Sequence, residues 1–242
     1  TPIPGGVSLD KVILETVSSG QWKPGAAPRS RQSDGGLPHI VTGQGFAVGF
    51  KNVGFSYDFH DNAWAVVELS GALEIESVIV RIDGSDLGQG HHTVMAQIAA
   101  EALGVALEKI KLKEADTAQV NHTAGCAAAS RLTFMSGNAV ISAAKAALEK
   151  WQAEERPAIA EASWLAPKTT NFDPNTGYCM PNFAYGYVAQ MVDVTVNTET
   201  GQVEVTRVVC ADDVGKAINP ELIRGQIEGG IVQGFFQEGR TT

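Results

Sequence analysis

Residues 84–104, GSDLGQGHHTVMAQIAAEALG, place a glycine-rich turn directly before a predicted helix. A tight turn between a strand and a helix needs one glycine, whereas here Gly88 and Gly90 flank Gln89. A glutamine side chain donates and accepts hydrogen bonds without adding charge. Two glycines around such an amide indicate that another group comes close to the backbone.

Two further predicted helices begin in a related way. The small residues of HTAGCAAAS, residues 122–130, end at Ser130, and a helix is predicted to follow directly. The last helix begins at Asn219 and Pro220 and carries Gln226 within two turns. Asparagine is a favoured N-cap residue, and proline is tolerated at the first helical position because the N–H it lacks would have no partner there.

These three helix starts predict a binding site for an anionic group. The first N–H groups of a helix have no partner inside the helix, and the macrodipole attracts anions to that end. Small side chains let a ligand reach these free N–H groups. If the three starts converge, they form a cradle for a polyanionic cofactor, with Gln89 and Gln226 reaching towards it.

Each of these features also has a structural interpretation. A Gly-x-Gly pair is common in ordinary tight turns, and a run of alanines also suits close helix packing. For four glycines we favour packing of the last helix against a sheet, namely Gly225, Gly229, Gly230 and Gly234. A purely structural or assembly module, with the helix starts on different sides of the fold, remains one alternative. A phosphate-binding protein of another class is the second.

Other motifs with known chemistry do not fit the sequence. The glycine spacing differs from the dinucleotide fingerprint, and no phosphate loop ends in Gly-Lys-Ser/Thr. His91 and His92 are neighbours, roughly 100° apart on a helix, so they cannot share a metal as an i, i+4 pair does. Asp212 and Asp213 fit a solvated turn near Lys216 better than a catalytic pair. The sequence therefore predicts no catalytic residue and no metal ligand in this chain.

Composition limits the class of protein. The 242 residues, 44% of them hydrophobic, suffice for one large core or two smaller ones. A net charge of -9 without a lysine or arginine run argues against nucleic acid and anionic membranes as partners. Cys126, Cys179 and Cys210 are widely spaced, which indicates neither a disulfide framework nor an iron–sulfur or zinc site. A reducing compartment, the cytoplasm, is therefore expected.

The elements predicted from apolar periodicity mix strands and helices. Strands are predicted over 44–51, 63–69, 75–83 and 108–115, with a hairpin of 186–197 and 202–210, and helices over 92–103, 131–151 and 219–236. Prolines in residues 1–40 predict an extended leader or linker, and those in 152–185 predict a long irregular connection. The pattern predicts an α/β or α+β fold with a mixed sheet.

The chain resembles the molybdenum-binding subunit of the xanthine dehydrogenase/aldehyde oxidoreductase family, specifically its second, C-terminal molybdopterin-binding domain. DLGQGHHTVMAQIAAEALGV resembles the Gly-Gln-Gly segment of that family and the helix after it. AGCAAASRLTFMSGNAV resembles its Ser-Arg-x-Thr helix start, and DDVGKAINPELIRGQIEGGIVQG resembles its Asn-Pro and Gly-Gln-x-Glu-Gly segment. The order of the motifs also agrees, and the likeness extends over residues 44–237.

With the leader over 1–40 that the prolines predict, the resemblance implies a molybdopterin-binding domain over 41–242. It implies that the cofactor is bound by Leu87, Gly88, Gln89, Gly90, Ala128, Ala129, Ser130 and Gln226. Tyr57 corresponds loosely to part of the substrate funnel. Leu132 stands where several relatives carry a small polar residue, so one cofactor hydrogen bond is expected to be absent. The catalytic glutamate of the family follows the last motif, and Glu238 lacks its Gly-x-Gly-Glu context, so the chain alone is expected to be inactive.

The activity implied is that of a molybdenum hydroxylase, an oxidoreductase that oxidises an aldehyde or N-heterocycle with water as the oxygen source. The implied cofactor is molybdenum–molybdopterin, with or without a cytosine dinucleotide. Electrons would leave through [2Fe–2S] clusters to FAD, both on partner subunits or domains. The N-terminal molybdopterin-binding domain would be a further partner, and the substrate stays open between several chemical classes.

Overall fold

The computed structural model describes residues 7–25, 29–30, 36–113 and 126–238, which fall into two compact units. The first unit takes residues from 1–52 and 184–215, and the second from 53–183 and 216–242. In chain order the elements are α1 (Leu9–Gly20), β1 (Arg29–Ser30), β2 (Ile40–Asn52), β3 (Asn62–Ser70), β4 (Ser77–Ile82), α2 (His91–Leu103), β5 (Ile110–Lys113), α3 (Arg131–Gln152), β6 (Ala158–Leu165), β7 (Tyr185–Asn197), β8 (Val203–Asp213) and α4 (Pro220–Glu238). The predicted mixture of helices and mixed sheet is confirmed.

The first unit is an antiparallel sheet with α1 on one face. Its strand order is β1-β2-β7-β8. Val12, Thr16 and Gly20 recur every four residues along α1 and are buried, as expected for the sheet-facing stripe of a helix. The hydroxyl of Thr16 donates to the carbonyl of Ala189 at 3.0 Å. Met191 fills the space beside Gly20, where an added Cβ would lie 2.6 Å from its sulfur.

The predicted hairpin is confirmed as β7 and β8, which pair antiparallel. Asn197 closes the turn, because its side-chain oxygen accepts from the N–H groups of Glu199 and Thr200 at 3.0 and 3.1 Å. Gly201 has a φ of 75°, a left-handed conformation that favours glycine. The polar NTETGQ segment therefore encodes the turn locally.

The second unit stacks α2 and α3 on a mixed sheet of order β5-β4-β3-β6. Its core lies between the sheet and these helices and includes Leu69, Val80, Met95 and Met135, all fully buried. β4 and β5 are parallel and are connected through α2, whereas the other pairs are antiparallel. Gly104 ends α2 with a φ of 67°, as predicted.

Two elements depart from the sequence-based prediction. The segment predicted as an extended leader contains the helix α1, so that prediction was wrong for Leu9–Gly20. The segment predicted as irregular contains β6, in which buried Ala158 and Ala160 alternate with exposed Ile159 and Glu161. Small residues face α3 there and a large apolar one faces outward, which hides the usual strand pattern. The division between a leader and a domain at residue 40 stays a prediction.

The packing of the second unit predicts that two leucines of one hairpin contribute differently to the free energy of unfolding. Leu69 at the end of β3 is fully buried, whereas Leu73 in the following turn is 95% exposed. Leu69→Ala should lower the free energy of unfolding by about 2–5 kcal/mol, because it leaves a cavity. The matched change Leu73→Ala should stay within about 0.5 kcal/mol. Denaturant unfolding measures both, and equal effects would contradict this core assignment.

Candidate functional site

The glycine-rich turn connects the carboxyl end of β4 to the start of α2. β4 and β5 are parallel and flank α2 in the chain. In α/β sheets, ligands bind outside the carboxyl ends of such strands. The fold therefore puts residues 83–90 at an edge suited to a ligand.

Asp86 occupies the start of α2. Its carboxylate accepts from the N–H groups of Gly88 at 2.9 Å, Gly90 at 3.2 Å and His92 at 3.0 Å. Burial opposes ionisation of this carboxyl, but the three N–H donors, with the charge of His92, outweigh it and lower the pKa of Asp86. The expectation that N–H groups of this start are free for a ligand was therefore wrong for Gly88, Gly90 and His92.

Gln89 lies within the same turn, and its side chain binds the backbone of neighbouring turn residues. Its Oε1 accepts from the N–H of Leu87 at 2.6 Å, and its Nε2 donates to the carbonyl of Ser85 at 2.9 Å. The side chain of Leu87 is 82% exposed. A Cβ added at Gly88 would meet no described atom within 4 Å. The outer side of the turn is therefore open to a ligand, while the amide of Gln89 fixes the shape of the turn.

The start of α4 contacts the start of α2. A Cβ at Gly90 would lie 2.7 Å from Cδ1 of Leu222, which would have to move, and the φ of 81° at Gly90 favours glycine. Asn219 caps α4 as predicted, since its Oδ1 accepts from the N–H of Leu222 at 3.0 Å, and its Nδ2 donates to Gln97 of α2 at 3.1 Å. Gln226 is exposed and lies one turn after Leu222 on the same side of the helix.

The start of α3 also contacts this turn, through Leu132. Cδ1 of Leu132 lies 3.3 Å from the position that a Cβ would take at Gly84, and Nε2 of His91 lies 2.5 Å from it. His91 is 4% exposed, and its burial, followed by the charge of His92, lowers its pKa to about 4. Leu132, where the family resemblance suggests a polar contact, packs on the turn instead. The first turns of α3 and α4 thus both meet the turn before α2.

Ala128, Ala129 and Ser130 lead directly into α3. Ala129 and Ser130 have φ values of 51° and 53°, which side-chain-bearing residues rarely adopt. The carbonyl of Ala129 accepts from the N–H of Gly54 at 3.1 Å. Ser130 makes no side-chain capping hydrogen bond, and Ala128 and Ser130 are exposed. Within the described residues, the first N–H of this helix, that of Arg131, donates to the carbonyl of Ala128 at 3.0 Å.

A buried ion pair joins this helix start to β3. Asp61 and Arg131 are each 3% exposed. Nε of Arg131 donates to Oδ2 of Asp61 at 2.7 Å and Nη2 donates to Oδ1, while Nη2 also donates to the carbonyl of Asn62 at 3.0 Å. Removing one partner of such a pair costs about 3–5 kcal/mol, because it strands a buried charge.

The glycines of α4 leave one side of that helix open. A Cβ added at any of the four would meet no atom within 4 Å in the part of the chain that the structure describes. The prediction that they allow close packing on a sheet was therefore wrong within these residues. The four positions are Gly225, Gly229, Gly230 and Gly234.

The loop that carries Tyr57 lies in the same unit. Tyr57 is 56% exposed and has a φ of 56°. Its N–H donates to the carbonyl of Pro181 at 3.0 Å, and the N–H of Asp58 donates to the hydroxyl of Thr169 at 2.8 Å. These bonds hold the loop to the irregular segment after β6, with the ring of Tyr57 outside.

Other reactive groups do not assemble into a centre. Among the described residues, no group of three or more His, Cys, Asp and Glu side chains is placed to hold a metal. The three cysteines are free thiols. Burial, and then the neighbouring Asp212, raise the pKa of Cys210 to about 12, so this thiol is protonated at neutral pH. Asp213 instead binds the hydroxyl of Ser8 and the N–H of Gly215. Within 7–25, 29–30, 36–113 and 126–238, no helix is long and apolar enough to cross a membrane.

Comparison with known proteins places this arrangement in a family. A profile of the molybdopterin cofactor-binding domain matches residues 16–163 and 149–237. Aldehyde oxidoreductase of Megalodesulfovibrio gigas is 30% identical over 209 residues, 80% of this chain and 22% of that protein. Xanthine dehydrogenase/oxidase of Felis catus is 30% identical over 203 residues, 76% of this chain and 15% of that protein.

A solved structure agrees with the sequence comparison. Aldehyde oxidoreductase from Desulfovibrio gigas superposes with a TM-score of 0.79 at 30% identity, covering 96% of this chain and 26% of that one. The chain belongs to the molybdopterin cofactor-binding domains of the xanthine dehydrogenase/aldehyde oxidoreductase family. It spans about a quarter or less of the length of these relatives.

Sequence reasoning missed four side chains of the site. Asp86 stands two residues before Gly88, a pattern typical of an aspartate that binds the N–H groups of a following turn, so it could have been found. The ion pair of Asp61 with Arg131 spans 70 positions, and no local signal reveals it. Burial of His91 likewise depends on packing against α3.

Asp86 should stabilise the fold only while it is ionised. Asp86→Asn is expected to lower the free energy of unfolding at neutral pH by about 1 kcal/mol, the usual worth of a helix cap. Because folding lowers the pKa of Asp86, its contribution is complete above 3.8 and is lost as the pH falls through the lower folded value. Unfolding measured across this range should show the two proteins converging at acid pH. Glu74→Gln, at an exposed carboxylate, serves as the control, and a pH-independent difference would contradict this role.

His91 should make the fold less stable as the pH falls from 6.5 to about 4. In that window the unfolded chain binds a proton that the buried imidazole does not bind, and below it the loss levels off. His91→Gln should flatten this part of the pH profile in chemical unfolding. An unchanged slope between the two pH values would show that His91 is not the group responsible.

Proposed function

We propose that this chain forms part of the cofactor-binding site of a molybdenum hydroxylase. The observation that carries this proposal is the meeting of three helix starts at one turn, since Leu222 contacts Gly90 and Leu132 contacts Gly84. The membership of the chain in a molybdopterin cofactor-binding family gives that meeting point its ligand class. The activity of the complete enzyme is likewise proposed.

The residues present fit a bulky anionic cofactor. Gly88 and the α4 glycines are open, and Ala128 and Ser130, before α3, are exposed. A phosphate or pterin edge can approach these positions without displacing a side chain. The start of α3, which Ser130 does not cap, supplies a favourable dipole, and its backbone donors follow Arg131, whose own N–H donates to Ala128.

We assign different tasks to the residues proposed to bind the cofactor. Ala128, Ala129 and Ser130 offer N–H groups at the start of α3. Gly88, Gly90 and Leu87 let the cofactor approach the turn before α2, where Asp86 already holds the nearby N–H groups. The amides of Gln89 and Gln226 are proposed to donate to polar atoms of the cofactor. Nε2 of Gln89 carries two N–H groups, and one of them donates to the carbonyl of Ser85, so the other is the proposed donor.

The bound cofactor supplies a two-electron oxidation with water as the source of oxygen. The part of this chain is to bind the cofactor, hold its orientation and keep water away from one side. We propose an aldehyde or N-heterocycle as substrate, with Tyr57 beside its path. The catalytic glutamate is proposed to lie outside the motifs of this chain, so that residues 1–242 are inactive alone.

Partner subunits or domains complete the proposed enzyme. Two relatives are named carbon monoxide dehydrogenase large chain and nicotine 6-hydroxylase large subunit. The word "large" in these names indicates that those enzymes have further subunits. We propose an N-terminal molybdopterin-binding domain, a [2Fe–2S] subunit and an FAD subunit as partners. A cytosine dinucleotide form of the cofactor and a cytoplasmic location are part of the same proposal, the latter supported by three free thiols.

A structural module without a ligand is less well supported. That alternative expects the three helix starts to lie on different sides of the fold, whereas two of them contact the third. A phosphate-binding protein unrelated to molybdenum does not agree with the family match.

Molybdenum and pterin content of the complete enzyme tests the proposed site. Gln226→Ala and Gln89→Ala should each weaken cofactor retention by about tenfold, the worth of one hydrogen bond to a charged group. Gln152→Ala, an exposed glutamine at the end of α3, is the control and should retain full content. Metal analysis and fluorescence of the oxidised pterin measure both. Full retention in the two site variants would remove these amides from the site.

A further inference from the structure

Arg131 is an unusual residue for the first position of a helix. The positive end of the helix dipole disfavours a cation there, and both members of its ion pair are almost fully removed from water. The remaining Nη1 is buried without a hydrogen-bond partner among the described residues. Buried ion pairs contribute little net stability and in some proteins serve conformational specificity instead. The pair therefore calls for a role beyond stability.

The surroundings of the pair indicate what it holds in place. The guanidinium lies 5.3 Å from the ring centroid of Phe55. The loop that contains Phe55 also donates the N–H of Gly54 to the carbonyl of Ala129. The backbone carbonyl of Asp61 accepts from the N–H of Ala166 at 2.9 Å, which ties the backbone of Asp61 to the residue that follows β6. One end of the pair is thus anchored in the sheet and the other in α3.

A second set of contacts holds the same loop against α3. Gly54 has a φ of 71°, and a Cβ there would lie 3.0 Å from the ring of Phe183. Phe183 in turn stacks on Phe134 of α3, with ring centroids 4.9 Å apart. The loop is therefore linked, through Phe183, to the first turn of α3.

We propose that Asp61 and Arg131 are positioning residues for the cofactor-binding turn Ala128–Ser130. The left-handed conformations of Ala129 and Ser130 persist only where surrounding groups hold them. The bidentate pair fixes Arg131, the residue that directly follows them, so that their N–H groups stay aimed at the ligand. Asp61 also neutralises Arg131, which leaves the helix dipole as the local attraction for an anion. This inference rests on the proposed cofactor site.

The charge of Asp61 makes the proposal testable, because simple electrostatics predicts the opposite result. Asp61→Asn removes a negative charge near the anionic cofactor and should tighten binding if only charge matters. If the pair positions the turn, the same change should lower the molybdenum and pterin content of the complete, folded enzyme by tenfold or more. It should also speed cofactor release after dilution by a similar factor.

Three further variants separate positioning from general stability. Glu68→Gln breaks the half-buried pair of Glu68 with Arg81 on β3 and β4, away from the turn, and should keep cofactor content within twofold. Arg131→Lys keeps the charge but loses the two-pronged geometry, and it should also release cofactor faster. The double variant Asp61→Asn with Arg131→Gln removes both buried charges, so it should melt at a higher temperature than Asp61→Asn yet still retain little cofactor.

The outcomes distinguish this inference from the proposed function. The positioning role is overturned if molybdenum and pterin content recovers together with the melting temperature in the double variant. It is also overturned if that content rises in Asp61→Asn. Neither result contradicts the proposed cofactor site. Wild-type enzyme without molybdenum or pterin overturns the proposed function and this inference with it. Loss in Asp61→Asn, Arg131→Lys and the double variant, with full content in Glu68→Gln, supports both.

Discussion

Close packing of α3 on its sheet is the constraint on which the candidate site depends. Ala139, Ala143 and Ala147 lie fully buried along the inner side of this helix, and Ala158 and Ala160 face it from β6. Small side chains on both surfaces let a helix approach a sheet closely and leave few ways to repack. With α3 fixed along its length, its first residue must enter at one place. That place lies beside the turn that leads from β4 into α2.

Side chains of the protein itself already bind several of the backbone N–H groups that the glycine-rich turn was expected to leave free. Asp86 takes up three N–H groups at the start of α2, and Asn219 caps α4. These caps stabilise two of the three helix starts but remove donors that an external anion would use. At the start of α3, Ser130 makes no side-chain cap, and the N–H of Arg131 donates to the carbonyl of Ala128.

Strain and burial are concentrated where the ligand is expected. Ala129, Ser130 and Tyr57 all have left-handed φ values without being glycine, and the ion pair of Asp61 with Arg131 lies between their loops. Backbone in such conformations is held by neighbours rather than by local preference. Rigid neighbours also hold a ligand site in the shape that the ligand needs, which lowers the entropy lost on binding.

The sequence alone predicted most elements and the family. Periodicity predicted α2, α3, α4 and the hairpin, and the three motifs predicted the family, because these signals depend on neighbours a few residues apart. Strand β6 was not predicted because alanines face α3 there. Helix α1 was not predicted because prolines flank it in the sequence. Only the tertiary structure decided which N–H groups are already bound, that the α4 glycines are open, and that Asp61 meets Arg131 across 70 positions. Those outcomes depend on packing between segments distant in the chain, and no local pattern of residue types records such packing.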